Sequence, residues 1–174
     1  MEPGVIFPCL LYRELLDISD EYNIQLEKEV CRLVSLTNKN TTFWGDDSDF
    51  VSNPVFSEFI QKIERAVEKY AQLVGVCRKF KLCKMWATVN YKGDYHNIHT
   101  HGSSLISGVY YVNIPKHPDG YFLRFVYDKW TLLGNEWTEP IETNKLLLFE
   151  GWVIHAYDPN PSFEPKIAIA FNFE

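Results

Sequence analysis

The stretch Lys166-Ile167-Ala168-Ile169-Ala170-Phe171-Asn172-Phe173 alternates without a break, with Ile167, Ile169, Phe171 and Phe173 on one face and Lys166, Ala168, Ala170 and Asn172 on the other. A period of two belongs to extended chain, so this is a strand with two unlike faces. The first face is core. The second begins with a cation, leaves space at two alanines and ends in an amide. Alanine is a poor choice for a solvent-facing strand, where β-branched or charged side chains do better, so this face reads as the wall of a cavity. A lysine near the mouth of such a cavity can give a charge-assisted hydrogen bond to an anion.

Upstream lie five more segments of the same kind: Leu82 to Tyr91, His99 to Pro115, Tyr121 to Tyr127, Lys145 to Phe149 and Trp152 to Tyr157. Turn residues separate them, among them Lys92-Gly93-Asp94 and His117-Pro118-Asp119-Gly120. Successive strands with no helical pattern between them predict antiparallel sheet, and at this length a sandwich or jelly roll. Ahead of Phe80 the period changes. Val5 to Tyr12 is a short apolar segment, a strand interrupted by Pro8. Tyr22, Leu26, Val30, Leu33 and Val34 recur at helical spacing behind a cap at Ser19 or Asp20, and Ser57 opens a second helix whose stripe runs from Phe59 to Val74. The expected fold class is mainly β with flanking helices. A chain of 174 residues is about one domain. Residues 1–174 are therefore expected to form a single domain, with supporting helices and a strand in 1–80 and the β core in 81–174.

The 17 basic and 23 acidic residues give a net charge of -6, which argues against an electrostatic grip on nucleic acid or an anionic membrane. Hydrophobic residues at 46% supply enough apolar surface to offset the entropy of ordering the chain, so most of it is not disordered. No apolar run approaches the ~18 to 20 residues of a membrane span. Met1-Glu2-Pro3-Gly4 lacks the basic-then-apolar pattern of a secretory signal, so a cytoplasmic location is expected. Cys9, Cys31, Cys77 and Cys83 show no C-x-x-C spacing and are expected to be small buried thiols.

His96, His99 and His101 fall within six residues, and His155 lies on a late strand. In extended chain residues i and i+2 point the same way, so His99 and His101 can offer imidazoles to one point while Thr100 faces away. A third ligand has to come from elsewhere, and His155 is a candidate. Neutral imidazole suits iron, zinc, nickel and copper, and three protein ligands on one side leave positions open for substrate and oxygen. An H-x-H pair alone is weak, because two surface histidines would look identical. His96 and His117 both sit beside turns and read as turn histidines. Tyr111 shares a face with Ser107, Val109 and Asn113 and could place its hydroxyl on the same anion as Lys166; a core tyrosine is the ordinary alternative.

Taken together, Asn90-Tyr91-Lys92-Gly93-Asp94-Tyr95, His99-Thr100-His101, Ser107 to Asn113, Leu147 to His155 and Lys166 to Asn172 resemble the 2-oxoglutarate and Fe(II)-dependent oxygenase superfamily. The sequence looks most like the oxygenases of bacterial and phage genomes, and more distantly like prolyl 4-hydroxylases. The resemblance covers roughly residues 80 to 174. It implies a double-stranded β-helix with Fe(II) at its mouth and 2-oxoglutarate as cosubstrate, and an enzyme that hydroxylates a C–H bond. The superfamily's H-x-D…H triad would fall on His99, His101 and His155, which would be both the metal ligands and the catalytic centre. Tyr91 and Tyr111 match tyrosines that often contact 2-oxoglutarate, and Lys166 stands where a basic residue pairs with its far carboxylate. Lysine here replaces the more frequent arginine, a point charge in place of a fork. His101 replaces the usual carboxylate, which changes the charge at the metal by one unit.

Two other readings compete. A cupin-like metal enzyme is also a jelly roll with H-x-H, but its usual downstream Glu is missing, since Gly102 to Val112 holds no acid. A non-catalytic jelly-roll binding protein would carry no stoichiometric metal. The substrate, a small molecule or a peptide, is not legible, and a homo-oligomer is compatible with the sequence. The segments Asn38 to Asn53 and Lys129 to Thr143, with Trp44, Trp130 and Trp137, read either as loops rimming the entrance or as aromatic plugs of satellite clusters, with Trp152 as a hydrophobic wall.

Overall fold

A computed structural model of the chain describes residues 9–36, 42–43, 50–131 and 134–174. In chain order the elements are β1 (Tyr12–Leu15), α1 (Asp20–Ser35), β2 (Thr42–Phe43), α2 (Ser57–Leu73), β3 (Leu82–Asn90), β4 (His96–His99), β5 (Ile106–Asn113), β6 (Phe122–Thr131), β7 (Gly134–Pro140), β8 (Lys145–Glu150), β9 (His155–Tyr157) and β10 (Lys166–Phe173). A six-stranded sheet runs β1-β8-β5-β10-β3-β2 and faces a four-stranded sheet β4-β9-β6-β7. Every pairing is antiparallel. This is the jelly roll that the strand series predicts.

The two helices form where the apolar spacing puts them and for the expected reasons. The Ser19 hydroxyl caps α1, accepting from the Tyr22 N–H at 3.2 Å, and Leu26, Val30, Leu33 and Val34 are its buried stripe. In α2 the stripe is Phe59, Ile63, Ala66, Val67, Tyr70 and Ala71. Both stripes lie on the outer face of the large sheet, the face of Ile167, Ile169, Phe171 and Phe173. Phe59 packs edge-on to Phe171, with ring centroids 6.4 Å apart. Contact is so close at β5 that a side chain on Gly108 would come within 2.3 Å of the Phe171 ring. The inner face of the sheet keeps a second, smaller core in which Val109, Tyr111, Leu147 and Phe149 meet Leu123 and Phe125 of the other sheet.

Four expectations need correction. Among the described residues the first strand is Tyr12–Leu15, which pairs with β8, and Cys9 to Leu11 ahead of it are not strand; Val5 to Pro8 lie outside the described residues. His99 to Pro115 is not one strand: β4 ends at His99 and β5 begins at Ile106, with Gly102 at φ 60° turning the chain between them. The segment from Lys129 to Thr143 is not all loop, because β7 pairs with β6 there and leaves Trp137 half exposed on an edge strand. The cysteines are not buried: Cys9, Cys31 and Cys77 are exposed and Cys83 partly so, Cys31 because it falls on the solvent side of α1. Trp44 and the side chain of Trp130 lie outside the described residues.

Candidate metal centre

Antiparallel register sets the inner face of β10, β3 and β5 in rows. Lys166 is opposite Asn90, Ala168 opposite Thr88 and Tyr111, Ala170 opposite Trp86 and Val109, and Asn172 opposite Lys84 and Ser107. The smaller sheet covers this face with β4 and β9, where His99 and His155 are register partners. His101 comes from the loop after β4. Its N–H donates to the Gly151 carbonyl at 2.8 Å, and the Gly151 N–H in turn donates to Leu105.

The donor nitrogens of His99, His101 and His155 all lie within 4.8 Å of one another. His155 is buried, with its Nδ1 2.8 Å from the Val153 carbonyl; His99 has its Nδ1 2.7 Å from the Asn97 carbonyl. A carbonyl accepts, so in both rings Nδ1 carries the proton and the Nε2 lone pair is left for a metal. The Nε2 atoms of His101 and His155 stand 3.1 Å apart. Burial, above all, pushes the His101 imidazole down to about 4 and that of His155 down to about 3, so both are neutral at physiological pH. Neutral nitrogens that need not shed a proton suit a divalent transition metal, and iron(II) is among those that imidazole accepts.

Gly151 is the tightest point of the loop. A Cβ there would sit 2.1 Å from the Ser104 carbonyl oxygen, backbone against backbone. Gly151→Ala is therefore expected to push the His101 loop outward, costing about 1–3 kcal/mol of stability and lowering iron affinity. Thermal unfolding with and without added iron(II) reads both effects.

Deeper along the same face, Lys166 is 4% exposed and has no hydrogen bond or ion pair among the described residues. Its Nζ lies 3.9 Å from the centroid of the Tyr157 ring. Burial holds its ammonium down to about 8, with Asp158 opposing. A buried cation with no hydrogen-bonded or ion-paired partner among the described residues is a place for an anion. Beside it the hydroxyls of Tyr111 and Tyr157 hydrogen-bond to each other, and burial pushes both phenols far up. The enclosed space between Lys166 and the histidines is about 40 Å³, and it borders a wide bowl of about 530 Å³ that shares Trp86, Thr88, His96, His99 and His101 with it.

Of the residues expected at the site, His99, His101, His155, Lys166 and Tyr111 line one cavity, and Tyr91 does not. Tyr91 is half exposed, following β3 into a turn that its own N–H closes on the Asp94 carboxylate. Nor is Trp152 the wall. It is half exposed and lines a separate cavity of about 450 Å³, whereas the buried ring of Phe149 stands 4.8 Å from His155. His96 is no mere turn residue: its Nε2 meets the Asn90 amide at 3.4 Å and it lines the cavity. His117 stays in its turn, where its Nδ1 accepts from the Asp119 N–H. Tyr157, Phe149 and Asn90 escaped the sequence reading, although Tyr157 shares the inward parity of His155.

Residues 84–172 match the family model described as "Putative 2OG-Fe(II) oxygenase". The fold is similar to that of HygX from Streptomyces hygroscopicus, solved with nickel and 2-oxoglutarate, at 12% identity and a TM-score of 0.70 over 94% of this chain and 81% of that one. A Pseudomonas putida prolyl-4-hydroxylase superposes at 14% identity and a TM-score of 0.68, over 94% of this chain and 91% of that one. The non-heme alpha ketoglutarate dependent epimerase SnoN of nogalamycin biosynthesis does so at 11% identity and 0.70, over 94% and 77%. No curated protein matches in sequence. No helix among the described residues is long and apolar enough to cross a membrane.

Proposed function

Because the chain belongs to the 2OG-Fe(II) oxygenase family, we propose that it hydroxylates a C–H bond of a small-molecule or peptide substrate, with iron(II) on His99, His101 and His155. When bound, iron(II) would bring together O2, which is the oxidant, and 2-oxoglutarate, which would give up two electrons in becoming succinate and CO2, so that one oxygen atom of O2 ends in succinate and the other in the hydroxylated substrate. The observation that carries this reading is the convergence of three imidazoles beside a buried, unpaired ammonium.

The chain's own contribution is to bind, orient and exclude water. The backbone carbonyls of Asn97 and Val153 fix the His99 and His155 rings so that Nε2 faces the metal position. Lys166 and the Tyr111 hydroxyl receive the far carboxylate of 2-oxoglutarate. To admit it, Tyr111 and Tyr157 separate and exchange their mutual hydrogen bond for carboxylate oxygens. Phe149 seals the site against water from the side of His155. The reading of the chain as a single domain is supported by the pairing of β1 with β8 and by the packing of both helices on the same large sheet.

Anaerobic addition of iron(II) and then 2-oxoglutarate is expected to produce a weak visible charge-transfer band, and succinate is expected to form when O2 is admitted. No band and no succinate would sink the proposal. The His101 position gives a sharper test. Three neutral ligands leave the metal's charge uncompensated, and a carboxylate would offset one unit of it. His101→Asp is therefore expected to keep iron binding, and His101→Leu to lose it by more than about 100-fold, the upper end for loss of a supporting partner alone. Metal content after gel filtration distinguishes the two.

Epimerisation is the second reading, favoured by the likeness to SnoN. Product analysis separates them: hydroxylation adds one oxygen atom from O2, and epimerisation adds none.

A further inference from the structure

At the end of the inner face away from Lys166, the structure holds a second set of donors. Asn172 is 4% exposed, and its Oδ1 accepts the Ser107 hydroxyl at 2.9 Å. That bond orients the amide and leaves Nδ2 without a side-chain partner among the described residues, on the wall of the open bowl. Lys84 is the register partner of Asn172 across β3 and β10, lines the same bowl, and has no ion pair among the described residues. No carboxylate lines the bowl; histidines aside, its only formal charge is the Lys84 ammonium. Trp86, whose ring centroid is 5.2 Å from that of His101, and Tyr95 give it aromatic walls.

We propose that the substrate carries an acid group, a carboxylate or an equivalent oxyanion, which Asn172 and Lys84 receive. The inference rests on the oxygenase reading and adds the class of substrate. An amide donor that opens on the bowl with no protein acceptor among the described residues can meet a ligand acceptor, and an ammonium in the next strand favours that acceptor being an anion. Register also sets the reach. The row of Asn172 and Lys84 is one pleat repeat, about 7 Å, beyond the row of Ala170 and Trp86 that packs on His101. It is about 20 Å from Lys166. The acid group of the substrate and the far carboxylate of 2-oxoglutarate thus occupy opposite ends of one corridor, and the oxidised carbon lies close to the substrate's acid end.

The test uses protein loaded anaerobically with iron(II) and excess 2-oxoglutarate, so that the Lys166 end is filled. Phenylacetate and phenylacetamide, matched in shape, are titrated by calorimetry. The acid is expected to bind about tenfold or more tightly than the amide. Lys84→Gln is expected to remove most of that preference without changing 2-oxoglutarate affinity, and Asn172→Leu to do the same. Lys84 is exposed, so its variant tests the proposal even if Asn172→Leu fails to fold. Equal binding of acid and amide overturns the proposal, as does binding of neither at millimolar concentration. So does a preference that survives Lys84→Gln. If 2-oxoglutarate itself does not bind the wild type, the oxygenase reading fails, and a Lys84-dependent preference for the acid still upholds this site.

Discussion

Replacing His155 by glutamine is expected to abolish stoichiometric iron(II) binding and, with it, both the charge-transfer band and turnover. The substitution removes the most buried of the three imidazoles, at 3% exposure, while keeping a polar side chain of similar size. His99 and His101 then remain as two ligands whose rings are 5.3 Å apart, and a two-nitrogen site competes poorly for iron(II) with water and buffer. Metal that binds only the native state stabilises it by about 2.7 kcal/mol at a hundredfold excess over Kd. Wild type is therefore expected to unfold at a higher temperature with iron(II) than without. The variant is expected to show no such difference, although its metal-free stability changes little because Phe149 and Phe125 still pack the position. A variant that still retained one iron per chain would remove His155 from the centre.

The sequence announced this centre unevenly, and the unevenness has physical causes. Period-two alternation in β10 identifies a strand with a cavity face because burial on both sides of a sheet is written into adjacent residues. Lys166 is read from it, and Tyr111 from the face it shares with Ser107, Val109 and Asn113 in β5. His99 and His101 do come together, but not through the strand geometry that their spacing predicts. Imidazoles two apart on a strand would point the same way, yet His101 sits past the strand end and reaches the others because Gly151 and Leu105 hold its loop. Tyr157, Phe149 and Asn90 are invisible as a set, since only register brings β9, β8 and β3 to one point, and register is set by long-range pairing. Strand β7 was missed because an edge strand carrying Glu136, Trp137 and Glu139 has no clean apolar period, its Glu139 being buried against Lys145 and Arg13.

Lys166→Met is expected to do two opposite things: weaken 2-oxoglutarate binding by about one to two orders of magnitude, and stabilise the protein in its absence. The first follows from losing a charge-assisted hydrogen bond, worth about 1.5–3 kcal/mol. The second follows from the depressed ammonium. A folded-state value of about 8 against 10.5 for the free group corresponds, at about 1.4 kcal/mol per unit, to a burial penalty of up to about 3 kcal/mol. Below pH 8 the lysine is charged in both folded and unfolded chains and the penalty is complete. Between pH 8 and 10.5 the unfolded chain binds more protons, so wild-type stability rises with pH and the advantage of the methionine variant fades. Ligand binding runs the other way: wild-type affinity for 2-oxoglutarate is expected to fall by up to about tenfold per pH unit above 8, while the weak binding of the variant stays flat. The groups that face Lys166 do not confuse the profile, because burial holds His96 down to about 4 and pushes the Tyr111 and Tyr157 phenols up. Denaturant unfolding and equilibrium dialysis at pH 7 and pH 9.5 measure both trends. A variant less stable than wild type at pH 7, or one that binds 2-oxoglutarate undiminished, would mean that the ammonium already has its partner within the protein and is not kept for a ligand.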